Sequence, residues 1–152
     1  MRHRLCISAV LLAGLSACTK KVEDKPLPDI RITEIKEEGA GPEKLFSVAI
    51  QAKPGFLPEA NDLRVMTYIY EQRGDGEIVL SNARVIPNWL TPPIDWKSAE
   101  GELLQLKYPG PKSEDNAKFY GYVIGIYHKG KLQDFRTQPA AFIGKVHLPV
   151  LQ

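Results

Sequence analysis

Cysteine is nearly missing from this sequence. Only two of the 152 residues are Cys, at positions 6 and 18, both near the N-terminus. A disulfide framework or a thiolate metal site in the body of the chain is thereby excluded, and the fold must be held by its core. Histidine is scarce too, with His3, His128 and His147. No HExxH, GxSxG or P-loop pattern occurs, so the common zinc, nucleophile-elbow and phosphate-cradle signatures are lacking. Beyond the N-terminus no apolar run approaches the roughly 18 residues of a membrane-spanning helix. No stretch of about 12 residues there keeps an apolar period of 3.6.

The N-terminus itself is highly patterned. Arg2 and Arg4 precede an apolar stretch from Leu5 to Leu15, broken only by Ser8 and Gly14, and Leu15-Ser16-Ala17-Cys18 follows. A basic start, an apolar stretch of about 11 residues and small residues before a cleavage point describe a secretory signal peptide over residues 1–17. Leu15-Ser16-Ala17-Cys18 resembles the lipobox of bacterial lipoproteins. The resemblance implies cleavage before Cys18, lipidation of its thiol, and attachment to a membrane through the lipid. Several acyl chains anchor stably where one is marginal, each buried CH₂ adding about 0.8 kcal/mol. It also implies residence in the bacterial cell envelope. Thr19, rather than the Asp that retains lipoproteins at the inner membrane, follows the cysteine, so in a host with two membranes the outer one is favoured.

Charge follows from the same cut. The whole chain has 20 basic and 18 acidic residues. Losing Arg2 and Arg4 leaves 18 of each, a neutral mature chain. The basic footprint of a nucleic-acid partner is absent. Thr19 to Asp29 (TKKVEDKPLPD) is polar and carries Pro26 and Pro28, so residues 18–29 read as a lipidated tether and residues 30–152 as the folded domain.

Within that domain the dominant period is two. Phe46, Val48, Ile50 and Ala52 share one face of a strand. Leu63, Val65, Thr67 and Ile69 alternate with Arg64, Met66, Tyr68 and Tyr70. Arg73-Gly74-Asp75-Gly76 then marks a hairpin, and Ile78 to Ile86 continues as an imperfect strand. Leu104 to Tyr108, Phe119 to Tyr127 and Leu132 to Thr137 supply more strands, the last two joined across His128-Lys129-Gly130-Lys131. Pro139 suits a sheet edge or bulge, and Ala141 to Leu148 offers a terminal strand. Short strands with turns every 8 to 12 residues or so predict an all-β fold, a single antiparallel β-sandwich of about seven strands. The strand spacing and the late aromatic strand pair resemble immunoglobulin-like and fibronectin type III sandwiches, without the cysteine pair of antibody domains.

Chemistry is harder to find. His128 reads as a turn residue and His147 as a strand residue, and no catalytic residue, metal ligand or cofactor is assigned. The many carboxylates leave open a small hydrolase or accessory domain whose acids pair in space. Glu59-Ala60-Asn61-Asp62 reads as a polar turn before a strand, short of a calcium loop. The Arg73-Gly74-Asp75 tripeptide is explained by turn chemistry. Tyr68, Tyr70, Tyr120 and Tyr122 form either an aromatic sheet face or core and cross-strand pairs.

The most unusual segment is Pro87 to Trp96 (PNWLTPPIDW), which holds both tryptophans. Trp89 and Trp96, with Phe56 of Pro54-Gly55-Phe56-Leu57-Pro58, are the candidate partner-binding residues. The competing reading is that the tryptophans plug one end of the sandwich. The expected function is a non-enzymatic recognition or scaffolding module. Its expected partner is an envelope protein, or alternatively a glycan, held at this loop or at an exposed sheet edge; a purely structural subunit of an envelope machine would instead show an exposed unpaired strand open to strand addition.

Overall fold

The computed structural model describes residues 28–91, 96, 101–112 and 116–141. The signal peptide, Cys18, the tether up to residue 27, Ile94 and Asp95 of the tryptophan loop, His147 and the expected terminal strand lie outside the described residues.

Eight strands form in chain order: β1 (Ile30–Glu38), β2 (Lys44–Ala52), β3 (Leu63–Gln72), β4 (Ile78–Leu80), β5 (Ile86–Trp89), β6 (Glu102–Tyr108), β7 (Lys118–His128) and β8 (Lys131–Gln138). They make two antiparallel four-stranded sheets, ordered β1-β2-β6-β5 and β4-β3-β7-β8. In immunoglobulin nomenclature these orders are A-B-E-D and C′-C-F-G, the seven-strand sandwich with one short extra strand beside C. The expected immunoglobulin-like sandwich is the fold, and β4 accounts for the eighth strand.

The alternating residues that define the period pack between the sheets. Phe46, Val48 and Ile50 from β2, Leu104, Leu106 and Tyr108 from β6, and Tyr122, Ile124 and Ile126 from β7 are all buried. Where antibody domains pin B to F with a disulfide, the Phe46 ring meets the Tyr122 ring edge-on, with centroids 5.1 Å apart. Phe119 leans against both Phe46 and Tyr108. Such contacts contribute about 0.5–1.5 kcal/mol each beyond area burial. Gly121 is required by close packing: a Cβ there would stand 2.0 Å from the Gln138 carbonyl oxygen.

One polar cluster ties the sheets together. Glu71 of β3 is 3% exposed. Its Oε1 accepts from the Tyr108 hydroxyl of β6 at 2.6 Å and from the Ser81 hydroxyl just after β4. Ser81 Oγ in turn accepts from the Ala83 N–H at 3.0 Å. A buried carboxylate needs such donors, since hydrogen bonds to a charged group contribute about 1.5–3 kcal/mol each. Burial, then the Glu71 carboxylate, push the Tyr108 hydroxyl well above its ordinary pKa.

The expected strand from Ile78 to Ile86 is divided. Ile78–Leu80 pairs with β3, whereas Ile86–Trp89 pairs with β6 in the other sheet. The intervening chain crosses the side of the sandwich, turned by the Ser81 hydroxyl, which takes the Ala83 amide that a continuing strand would have given to a neighbour.

Candidate functional site

The two sides of the sandwich are finished differently. On the side of β1 and β8, Ile32 presents an edge N–H and C=O. Both are satisfied by side chains of β8: the Ile32 N–H donates to Asp134 Oδ2 at 2.8 Å, and Arg136 Nη2 donates to the Ile32 carbonyl at 2.7 Å. Asp134 and Arg136 are themselves paired at 2.7 Å. A bulge between Ile32 and Glu34 further interrupts this edge, and the Thr33 hydroxyl there donates to the Ala49 carbonyl. These are devices that keep an edge strand from recruiting another chain.

The opposite side lacks them. β4 covers only Tyr70, Glu71 and Gln72 of β3. The Ser81 N–H donates to the Ile69 carbonyl at 2.8 Å, and the Arg73 N–H donates to the Glu77 carbonyl at 2.9 Å. Ile69, Glu71 and Arg73 therefore turn their peptide groups toward β4, and by strand alternation Leu63, Val65 and Thr67 do the same. Arg64, Met66, Tyr68 and Tyr70 turn theirs toward β7. The Leu63 N–H is taken by the Ala60 carbonyl at the end of a single 3₁₀ turn, Ala60–Asp62. Among the described residues, the N–H and C=O of Val65 and Thr67 have no strand beside them.

These free groups line an open cleft of about 270 Å³ between the sheets. Val65, Thr67 and Ile69 form one wall, and Ala83, Val85 and Pro87 another, with Leu106 behind. The cleft exists because β3 carries no bulky aromatic inward; antibody domains place a tryptophan on this strand. Leu80, 52% exposed, lines its mouth, and Ile86, 53% exposed, stands in the chain between the lining residues Val85 and Pro87. β5 carries Pro87, a residue tolerated on edge strands because its missing donor is not needed there.

The candidate residues from the sequence fall elsewhere. Trp96 is 6% exposed and belongs to the core. Trp89 ends β5 opposite Leu104, half-buried against the core. Phe56 is half-buried as well, its ring edge-on to His128 at 5.4 Å and 5.8 Å from Lys53 Nζ. The structure does not bring the three together as an exposed aromatic platform, and the ring of Trp96 is sequestered. Tyr122 faces the core, while Tyr68 and Tyr70 lie on the outer face of β3, where burial raises the pKa of each hydroxyl.

The two buried acids of the described residues stand far apart. Glu71 and Glu102 are the buried carboxylates among the described residues. Glu71 meets Tyr108 at one end of β6, and Glu102 begins that strand at the other, about 20 Å away at the rise of a strand. Retaining and inverting glycosidases place their pair about 5–9.5 Å apart. No group of three His, Cys, Asp or Glu able to hold a metal ion occurs among the described residues. Arg73-Gly74-Asp75 forms the β3–β4 hairpin: Asp75 Oδ1 accepts from the Glu77 N–H at 2.9 Å, and Gly76 adopts φ +89°.

The open edge is the feature that sequence reading located only in general terms. The shortness of β4 creates it, and Ser81-Asn82, two turn formers inside the expected strand, is the signal that marks where β4 stops. No protein-family model, curated protein or solved structure matches the chain.

Proposed function

We propose that the protein is a lipid-anchored recognition module of the bacterial cell envelope, tethered through Cys18 and binding a protein partner at the open side of its sandwich. The observation that carries this reading is the contrast between the two sides. One edge is closed by Asp134 and Arg136, while the other leaves two residues of β3 unpaired beneath an apolar rim. An unused, unprotected edge is an aggregation hazard, and a chain that blunts one edge so thoroughly has a use for the other. Leu80 and Ile86 offer exposed apolar surface at this side for a partner to cover. A protein partner is favoured over a glycan because Trp96 is buried in the core and Trp89 is half-buried against it.

The test is photo-crosslinking in living cells, with a benzophenone amino acid placed at Ile86 on the open side or at Lys131 on the closed side. The reading expects one discrete adduct from position 86 and none from position 131. Adducts from position 131 alone would refute it.

A further inference from the structure

We infer that the open edge accepts a single extended chain segment, added as a strand beside Val65 and Thr67, whose apolar residues alternate with polar or acidic ones. This rests on the recognition role proposed above and names the chemistry of what is recognised.

Two N–H and two C=O groups spaced along an extended chain match another extended chain and little else, because a strand offers donors and acceptors at the same repeat. The length available is bounded. Leu63 gives its N–H to Ala60, and the Ile69 carbonyl is taken by Ser81. Between them Val65 and Thr67 can pair, room for a segment of about five residues.

Residues directly opposite one another across a ladder point to the same face. Val65 and Thr67 both line the cleft, so the two residues opposite them also enter it and meet Val85, Pro87 and Leu106. Those positions call for medium-sized apolar side chains. The residue between them faces outward beside Met66 and its exposed neighbour Arg64. Arg64 of β3 and Arg84 of the crossover have no carboxylate within ion-pair distance among the described residues. An acidic residue at the outward position would be favoured by Arg64, which shares the outward face of β3 with Met66.

A second copy of the chain does not fit as occupant. The free groups of β3 lie in the cleft wall, with the crossover carrying Ala83 and Val85 opposite them. A second copy holds its own β3 behind the same wall. Two recessed edges cannot approach to the roughly 4.8 Å of strand pairing, whereas a chain free of its own sheet can.

Panning the mature chain, purified in detergent, against a phage-displayed random dodecapeptide library tests this, followed by binding of selected synthetic peptides to the wild type, Thr67→Pro and Leu80→Asp. The expected result is peptides with an apolar-x-apolar core, binding weakened at least tenfold by Thr67→Pro in a variant that melts within about 4 °C of the wild type, and new exchange protection of the Val65 and Thr67 amides. Peptides weakened by Leu80→Asp but not by Thr67→Pro, with no new protection, would overturn strand addition and leave the recognition site standing. Peptides indifferent to both substitutions, or no enrichment, would overturn both.

Discussion

Proline substitution at two adjacent positions of β3 separates a free edge from a paired one. At Val65 the N–H points into the open cleft; at Met66 it points to Gly125 of β7. Proline lacks the donor, so Val65→Pro breaks no bond within the protein, and the preceding Arg64 already holds the extended backbone that proline prefers. The expected cost is about 1 kcal/mol or less, from adjusting φ and trimming a half-buried side chain. Met66→Pro removes a ladder bond and leaves the buried Gly125 carbonyl unpaired, which costs about 1–3 kcal/mol before the ring's clash with its neighbour strand is counted. A total of about 3 kcal/mol or more follows. At about 3–4 °C per kcal/mol for a chain of this size, Met66→Pro should lower Tm by about 10 °C or more and Val65→Pro by about 4 °C at most. Thermal melts followed by circular dichroism decide it. If Val65→Pro is as damaging as Met66→Pro, the Val65 amide has a partner within the fold and the edge is not free.

Other expectations follow from the same structure. Asp134→Ala should strip the Ile32 N–H of its acceptor, cost about 1–3 kcal/mol, and open the β1 edge; sedimentation velocity should show association that rises with concentration, and a wild-type-like monomer would count against the sealing role. In alkali, burial holds Tyr68, Tyr70, Tyr108 and Tyr122 protonated above their ordinary range. Their folded pKa values are raised, so the stability they confer is complete below pH about 10 and lost above it, as the unfolded chain ionises first. Denaturant melts from pH 8 to 11 should therefore show declining stability above about 10, less steep in Tyr108→Phe, and all six tyrosines ionising together in the intact fold at 295 nm would refute this. For the anchor, Cys18→Ala should abolish incorporation of an alkynyl fatty acid and release the protein from washed membranes; retained label would place the lipid elsewhere.

How much of this was legible in the sequence depended on whether the signal was local. β2, β6 and β7 announce themselves because a residue pointing inward every second position is a property of the strand alone. Phe46-Val48-Ile50 and Leu104-Leu106-Tyr108 are examples. β1 is less plain because its bulge shifts the inward set from Ile30 and Ile32 to Ile35. The division of Ile78 to Ile86 between two sheets was not legible from periodicity, since both halves are extended; which sheet each joins is decided by long-range pairing with β3 and β6. The site was hidden for the same reason. Tryptophans are conspicuous in a sequence, but their size equally suits a core, and Trp96 went there. The free peptide groups of Val65 and Thr67 have no residue signature: they exist because β4 is three residues long and β3 is ten.

Residue-resolved amide hydrogen exchange of the unliganded mature chain tests the central claim, that one side of the sandwich is sealed and the other open. The account predicts fast exchange at Val65 and Thr67, slow exchange at the alternating Met66 and Tyr68, and slow exchange at Ile32, whose edge amide is held by Asp134. Equal protection at all four β3 amides, or rapid exchange at Ile32, would contradict it.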